Sequence, residues 1–227
     1  MRSRAIVFVG MDGAGKSTLS RALESDLRDQ GQEVRHIWVL ENEQSLLRRL
    51  LRQVASRRSP VSLQTQQRSG TPNMPAGFPL SCARKIYPAV VVLDYLVYGL
   101  VRLRLPFIWG RSRVWIFDRY FFDIILSLSA EFNLEPAQTA RMWSFLGSAF
   151  PSPDLIFFID VEPDMAVSRK PDAYPMCEAA VLMQQQYHRL LETLQNRYGT
   201  RILRIDNNRG IKESYECIRT GFLTLSE

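Results

Sequence analysis

The segment Gly-Met-Asp-Gly-Ala-Gly-Lys-Ser at residues 10–17 constrains the fold more than any other part of this 227-residue chain. It follows five consecutive apolar residues at positions 5–9, the pattern of a fully buried parallel strand. It precedes Leu19, Leu23 and Leu27, which recur at helical spacing. Parallel strands need a crossover connection, usually a helix, so this order is typical of a βαβ unit. The segment therefore predicts an α/β fold with a parallel sheet.

The same alternation of strand and helix patterns continues along the chain. Further strands are predicted at residues 34–40, 114–117, 155–159 and 201–205. Helices are predicted at residues 17–30, 43–58, 83–105, 123–132, 163–169, 178–198 and 211–225. Another helix is predicted from Pro136, with Phe145 and Leu146 on its core face.

These elements predict a doubly wound α/β domain, with a mainly parallel five-stranded sheet and helices on both faces. A single domain is expected over residues 1–227, with an irregular loop at about 59–81 that is rich in Pro, Ser, Gln and Gly. Ligands of such folds bind at the carboxyl ends of the strands. Gly10, Asp118 and Asp160 all fall at those ends.

Residues 10–17, called the P-loop below, fit the pattern G-x-x-x-x-G-K-[ST] in full. The glycines let the backbone wrap around an anion, so that the N–H groups of residues 13–18 point at a phosphate. Lys16 is expected to bridge the β- and γ-phosphates, and the Ser17 hydroxyl to bind Mg²⁺. The sequence thus predicts ATP and Mg²⁺ as cofactors. The predicted ATP-binding residues of this segment are Gly10, Asp12, Gly13, Ala14, Gly15, Lys16, Ser17 and Thr18.

Acidic and basic residues at two strand ends are candidates for acceptor chemistry. Asp12 either accepts a hydrogen bond from an acceptor hydroxyl or caps a turn. Asp118, Arg119 and Tyr120 follow the strand at 114–117. A carboxylate there can bind Mg²⁺ or receive the acceptor proton, and the arginine can neutralise phosphoryl oxygens. The alternative is a structural ion pair that closes the strand. Tyr120 is assigned to the site because it extends this segment.

Three segments recur in one order: residues 10–18, residues 118–120 and residues 153–163. With Arg169 after them, the chain resembles the thymidylate kinase family of nucleoside monophosphate kinases over almost its whole length. The resemblance implies a fold of the P-loop nucleoside-phosphate kinase type and transfer of phosphate from ATP to dTMP, giving dTDP and ADP. It also implies that Asp12 faces the acceptor sugar, that Asp118 and Arg119 lie between the donor and acceptor phosphates, and that the protein is a homodimer.

The resemblance further implies a mobile lid at about residues 168–177, beginning with Arg169 and Lys170, that closes over ATP. Some family members carry an arginine in the P-loop where this chain has Gly13. Arg169 is therefore the candidate for the catalytic arginine, beside the catalytic candidates Lys16, Asp118 and Arg119. Asn207 resembles a residue of the loop beside the adenine.

Two segments depart from the family pattern and leave the acceptor open. The family usually has an Arg-Glu-Pro-Gly-Gly-like segment after the second strand, whose arginine binds the acceptor phosphate, whereas residues 40–43 read Leu-Glu-Asn-Glu. On the long central helix, the family's Asp-Arg or Asn-Arg is replaced by Asp94 and Tyr95. Asp94 remains a candidate acceptor ligand. The basic helix at 43–58 either substitutes for the missing arginines or is a solvated face. A nucleoside, a sugar or another alcohol therefore stays open as acceptor.

A nucleotide switch and a nucleic-acid-binding protein are the alternatives to phosphotransfer. A nucleotide-switched binding protein is disfavoured because switch ATPases usually end the strand at 114–117 with Asp-Glu or Asp-Gly, not Asp-Arg-Tyr. The net charge of +6 suits an anionic partner, or simply a soluble surface. The positive charge is the one feature that supports nucleic-acid binding, and charge by itself does not specify that partner. We therefore expect no nucleic-acid partner. Arginines around residues 105–107 form either a solvated face or a membrane-surface contact; they are Arg102, Arg104, Arg111 and Arg113.

The cysteines and the apolar runs bear on the compartment. The three cysteines, Cys82, Cys177 and Cys217, have neither zinc-ligand spacing nor a disulfide pattern, which favours a reducing cytoplasm. The longest apolar run, at residues 86–101, is interrupted by Asp94 and is shorter than the roughly 20 residues a spanning helix needs. We predict a buried helix there and a cytoplasmic protein.

Overall fold

A computed structural model describes residues 3–39, 80–110, 113–132, 134–174, 176–198 and 200–225. These residues form two compact units, each described by itself. The sheet unit contains residues 3–39, 110, 113–120, 152–174, 176–198 and 200–225. The helical unit contains residues 80–109, 121–132 and 134–151. The single domain expected from the sequence stays a prediction. The predicted helix at 43–58 and residues 59–79 of the predicted loop lie outside the described residues.

The described strands form one all-parallel sheet in the order β2-β3-β1-β4-β5. The strands are β1 Arg4–Val9, β2 Val34–Trp38, β3 Val114–Asp118, β4 Leu155–Asp160 and β5 Arg201–Asp206. The predicted α/β class with a five-stranded parallel sheet is therefore confirmed for the described part of the chain. The chain leaves β1 to form β2 and β3 on one side and later β4 and β5 on the other. The carboxyl end of β1 is thus the point where the strand order reverses, which is where such folds bind ligands.

The described α-helices are α1 Lys16–Asp29, α2 Leu80–Tyr98, α3 Leu105–Trp109, α4 Phe121–Phe132, α5 Pro136–Ala149, α6 Pro163–Arg169, α7 Cys177–Tyr198 and α8 Ile211–Leu223. A π-helical turn, Gly99–Arg104, joins α2 to α3, and a 3₁₀ turn, Pro171–Ala173, follows α6. The predicted helix at 83–105 is therefore too short at both ends and misses the π-helical turn. Residues 80 and 81, predicted as the end of the loop, belong to α2.

Helices cover both faces of the sheet, as predicted. Phe157 and Phe158 are neighbours on β4, so their side chains point to opposite faces. The ring of Phe157 lies 3.2 Å from the position of a Cβ built on Gly221 of α8. The ring of Phe158 lies 6.3 Å from that of Tyr187 on α7. Because both faces are covered, β1, β3 and β4 are apolar along almost their whole length.

The helical unit is packed around aromatic side chains. The rings of Phe121 and Phe122 lie 5.5 and 5.1 Å from the ring of Trp143. The core face predicted for α5 is correct at the buried Leu146 and wrong at Phe145, which is 59% exposed. Trp143 takes the buried position instead, since this large side chain closes the aromatic cluster. No helix in the described ranges is both long and apolar enough to cross a membrane.

Candidate functional site

The P-loop connects β1 to α1 with a backbone that only glycine tolerates at several positions. Gly13 and Gly15 have φ angles of 83° and 90°, in the left-handed region that favours glycine. A Cβ on Gly13 would lie 2.5 Å from the carbonyl oxygen of Ala166, and one on Gly15 would lie 2.7 Å from Nδ2 of Asn207. Both glycines are therefore required by conformation and by space.

The N-terminus of α1 presents backbone donors at the P-loop. Its first intrahelical bond runs from the Leu19 nitrogen to the Gly15 oxygen, over 3.0 Å, and no side chain caps the helix. The preceding N–H groups, those of Lys16, Ser17 and Thr18, thus have no intrahelical acceptor. N–H groups in the first turn of a helix and the helix dipole together favour an anion here. The N–H of Ala14, predicted to face phosphate with them, instead donates to the Met11 oxygen over 3.2 Å.

The ammonium group of Lys16 is folded back into the P-loop. Lys16 is only 5% exposed. Its Nζ donates to the carbonyl oxygens of Gly10 and Met11 over 2.8 and 2.6 Å. It also lies 3.9 Å from Oδ1 of Asp12. A positive charge is therefore fixed inside the loop next to the helix N-terminus, where the motif predicts a phosphate contact.

The carboxylate of Asp12 lies among cations drawn from distant parts of the chain. It forms an ion pair with the guanidinium of Arg119, and its Oδ2 lies 3.6 Å from Nζ of Lys170. Burial, and then the charge of Arg119, lowers the pKa of Lys170 below its ordinary value. The amide of Asp12 donates a hydrogen bond of 2.7 Å to the hydroxyl of Tyr174. The turn after α6, within the predicted lid, thus contacts the P-loop through two residues.

Arg119 reaches Asp12 from the end of β3 by an unusual backbone conformation. Its φ is 69°, and among the described residues it is the one non-glycine residue with positive φ. Such a conformation is uncommon for a long side chain and is often found at functional sites. Its amide donates to the oxygen of Phe8 on β1 over 3.2 Å. The guanidinium is thereby directed to Asp12 in the P-loop.

Asp118 is buried at the end of β3, beside β1. It is 4% exposed and is paired in register with Phe8. Its Oδ1 has no hydrogen-bond partner among the described residues. Buried polar atoms are almost always paired, so this oxygen is suited to a ligand. A carboxylate oxygen fits the Mg²⁺ predicted here, since Mg²⁺ is usually bound by one or two carboxylates together with substrate phosphates.

The described residues contain no group of three or more His, Cys, Asp or Glu side chains placed to hold a metal by themselves. Ser17 and Asp118 are the residues that the sequence predicts for Mg²⁺.

Asn207 braces the P-loop from the end of β5. It is buried, and its Nδ2 donates to the oxygen of Ala14 over 2.7 Å. Its Oδ1 accepts from the hydroxyl of Ser214 over 2.9 Å. Its backbone oxygen accepts from Nη2 of Arg169 over 3.0 Å. Asn207 therefore fixes the loop and Arg169 relative to each other.

A pocket of about 510 Å³ lies along the carboxyl edge of the sheet, from Trp38 on β2 to Ile211 at the start of α8. This volume is in the range typical of small-molecule sites. The P-loop contributes Asp12, Gly13, Gly15, Lys16, Ser17 and Thr18 to its lining. Of the other predicted site residues, the pocket brings in Arg119, Arg169 and Asn207.

The remaining predicted residues do not line this pocket. Gly10, Ala14 and Asp118 are buried in the loop and the strand end. Tyr120 is fully buried, with its ring 5.1 Å from that of Phe117. Asp94 belongs to the helical unit, where it is half-buried on α2.

Three residues at this site were not assigned roles from the sequence. Trp38 and Ile211 line the pocket, and Tyr174 holds the amide of Asp12. Lys170, predicted as the start of the lid, also lines the pocket. Burial raises the pKa of Tyr174 to about 12. The position of Trp38 near the carboxyl end of a predicted strand indicates a place at the ligand site, since such folds bind ligands there. Tyr174 has no such signal, since its partner is 162 positions away.

No protein-family model matches the chain, and no curated protein matches it.

Proposed function

We propose that this protein is an ATP-dependent phosphotransferase, with Mg²⁺ as its second cofactor, that transfers the γ-phosphoryl group of ATP to a small acceptor. The observation that carries the proposal is the P-loop, with its buried lysine and the N-terminus of α1, which no side chain caps. At the end of the neighbouring strand β3, the buried carboxylate of Asp118 has an unpaired oxygen. Anion donors and a magnesium-type carboxylate together are what bound ATP–Mg²⁺ requires.

The charge around the pocket supports a polyphosphate. Lys16, Arg119, Arg169 and Lys170 are opposed among the lining residues by one carboxylate, that of Asp12. This surplus of positive charge in a concave site attracts an anion strongly. It also exceeds what a single phosphate monoester would need.

Each cation has a proposed role that follows from its place. Lys16 and the first N–H groups of α1 bind the donor phosphates. Arg119 and Arg169 neutralise charge that develops on the transferred group. Ser17 and Asp118 would hold Mg²⁺, which would supply charge neutralisation for the donor phosphates. Asp12 holds Arg119 and Lys170 in position before any ligand arrives, so they need little reorganisation.

The acceptor belongs to one of two classes. The resemblance to thymidylate kinases favours dTMP. The missing acceptor arginines favour an acceptor of another kind, a nucleoside, a sugar or another alcohol. The half-exposed Trp38 lines the pocket at the end of β2, near the place where the family has a phosphate-binding arginine. With either acceptor, the proposed reaction is phosphoryl transfer to an oxygen nucleophile. We propose that the protein carries it out in the cytoplasm.

The test is a coupled assay of ADP release across nucleoside monophosphates, nucleosides and sugars. We expect turnover with at least one acceptor. Turnover with dTMP would identify dTMP as the acceptor. Lys16→Ala should lower kcat/KM by roughly 10²–10³ or more, the usual effect of removing a preorganised donor. Arg21→Ala, which removes an exposed charge from the same helix, should leave kcat/KM unchanged. Tight ATP binding without turnover on any acceptor would instead indicate a nucleotide switch, and unchanged turnover in Lys16→Ala would remove the P-loop from the mechanism.

A further inference from the structure

The segment from residue 88 to residue 109, in the helical unit, is apolar on both of its sides. Its inward side is formed by Val91, Tyr95, Gly99 and Leu103, all buried and four residues apart. A Cβ on Gly99 would lie 2.5 Å from the ring of Phe150, so the helix approaches its neighbour as closely as it can. This side is an ordinary core face.

The outward side is also apolar, although it is exposed. We call it the apolar strip; its six residues are between 42% and 78% exposed, and they are Leu93, Val97, Leu100, Val101, Ile108 and Trp109. A surface helix of a globular protein normally carries polar residues opposite its buried stripe, whereas a helix that is hydrophobic all round is covered on both sides. Within the helical unit, none of the described residues covers the strip. Contiguous exposed apolar surface of this kind marks an interaction site.

The charges around the apolar strip are basic. Arg102 is exposed beside it. Arg104 is held at its edge by hydrogen bonds to the carbonyl oxygens of Ser148 and Phe150, over 2.6 and 3.3 Å. The one carboxylate between residues 88 and 109 is that of Asp94, which is half-buried. The strip therefore combines apolar side chains with positive charge and offers no exposed negative charge.

We propose that the apolar strip binds the surface of a membrane that contains anionic phospholipid. Segments that lie in the membrane interface combine an apolar face with Arg or Lys, and binding grows with both the buried apolar area and the attraction to anionic lipid. Trp109, at the end of α3, is the type of residue that is enriched at headgroup level. Arg102 then pairs with lipid phosphate.

A second copy of the chain fits this face less well. In a two-fold interface the same patch meets itself. The arginines would then be buried against an apolar and basic surface without a carboxylate partner, which is costly. Anionic headgroups supply the missing negative charge.

The test is flotation of the full chain with vesicles of phosphatidylcholine alone and of phosphatidylcholine mixed with phosphatidylglycerol. We expect binding to the anionic vesicles, weakened by high salt. The double variant Val97→Asp, Ile108→Asp should reduce the bound fraction at least tenfold. Leu182→Asp with Leu223→Asp, which adds the same charge at similarly exposed positions in the sheet unit, should bind like the unchanged protein. Arg102→Gln should weaken anionic binding about fivefold, the effect of one basic residue near such a surface.

Several results would overturn the proposal. One is a protein that stays unbound with both vesicles, and another is equal binding to neutral and anionic vesicles. Equal loss in both double variants would show that added negative charge alone prevents binding. A dimer in sedimentation velocity that becomes monomeric in Val97→Asp, Ile108→Asp would assign the strip to a second copy. Circular dichroism of each variant confirms that it is folded, and none of these residues belongs to the pocket at the P-loop.

Discussion

The amide nitrogen of Asp12 donates a hydrogen bond of 2.7 Å to the hydroxyl of Tyr174, which lies in the turn after α6. Tyr174→Phe removes this partner and leaves a part-buried N–H unpaired. We expect the free energy of unfolding to fall by about 1 kcal/mol, and affinity for ADP to fall with it because the P-loop loses a brace. Urea denaturation and calorimetry measure the two quantities.

Tyr215→Phe is the matched control for that change. It removes a bond of 2.9 Å to Oδ2 of Asp26, away from the P-loop. We expect a similar loss of stability with no change in ADP affinity. Equal ADP affinities in the two variants would show that Tyr174 does not support the site.

The same tyrosine gives stability a specific dependence on pH. Burial raises the pKa of Tyr174 from 10.0 to about 12. The folded protein therefore keeps a proton that the unfolded chain loses, so this contribution is fully present below pH 10 and disappears as the pH rises through 12. We expect the stability advantage of the unchanged protein over Tyr174→Phe to shrink across that range. Groups common to both proteins, such as Lys170, largely cancel in the difference. If the free energies of unfolding of the two proteins, measured with urea, ran parallel as the pH rises, the assignment would be contradicted.

Gly13 offers a test of how closely the P-loop is packed. Its φ is 83°, and a Cβ there would lie 2.5 Å from the backbone oxygen of Ala166. Gly31 has a similar φ of 76° with nothing within 4 Å. Gly31→Ala should therefore cost only the conformational penalty of about 1–2 kcal/mol. Gly13→Ala should cost more and should also weaken ADP binding, whereas equal losses of stability would show that α6 yields without strain.

Asp12→Asn tests whether this carboxylate opposes phosphate binding. Asp12 is the one negative charge among the residues that line the pocket. Its removal frees Arg119 and Lys170 for an anion, so we expect ADP to bind about fivefold more tightly or better. Turnover should fall, because the cations lose their fixed positions. Asp29→Asn makes the same charge change at an exposed site and should alter neither quantity. Weaker ADP binding in Asp12→Asn would reverse the proposed role.

The sheet and the P-loop were predictable because their signals are local. Strands covered on both faces need continuous apolar residues, and β1 and β4 show such runs in the sequence. The glycine spacing predicts a loop whose Gly13 and Gly15 prove to be conformationally required. Arg119 lines the pocket with the P-loop, and its catalytic role stays a prediction. Its pairing with Asp12 has no signal in the sequence, since the two are 107 positions apart.

Other features depended on tertiary packing. The π-helical turn at Gly99–Arg104 was missed because its buried residues keep a spacing of four, which also fits an ordinary helix. Hydrophobicity predicts Phe145 in the core, whereas the buried side of α5 is formed by Trp143, Leu146 and Ala149. Asn207 was assigned beside the adenine by resemblance; its hydrogen bond to Ala14 shows that it also braces the P-loop.

Arg169 is the residue on which the proposed catalysis depends most. Its guanidinium lies at the pocket and donates to the oxygen of Asn207 over 3.0 Å, so it is held in place from the side of β5. If it neutralises the transferred phosphoryl group, Arg169→Ala should lower kcat by roughly 10³ or more with little change in the KM for ATP. Arg189→Ala, on the exposed side of α7, should leave kcat unchanged.

A purely structural role for Arg169 predicts a different pattern. Loss of its bond to Asn207 would lower stability and raise the KM for ATP, because the brace of the P-loop is weakened, while kcat changed little. Arg169→Lys separates the two further: it keeps the charge but loses the planar fork that binds two phosphoryl oxygens at once, so the catalytic role predicts that kcat stays low. Steady-state kinetics of both variants, with urea denaturation alongside, distinguishes these outcomes, and a kcat near that of the unchanged protein in Arg169→Ala would exclude Arg169 from the transfer step.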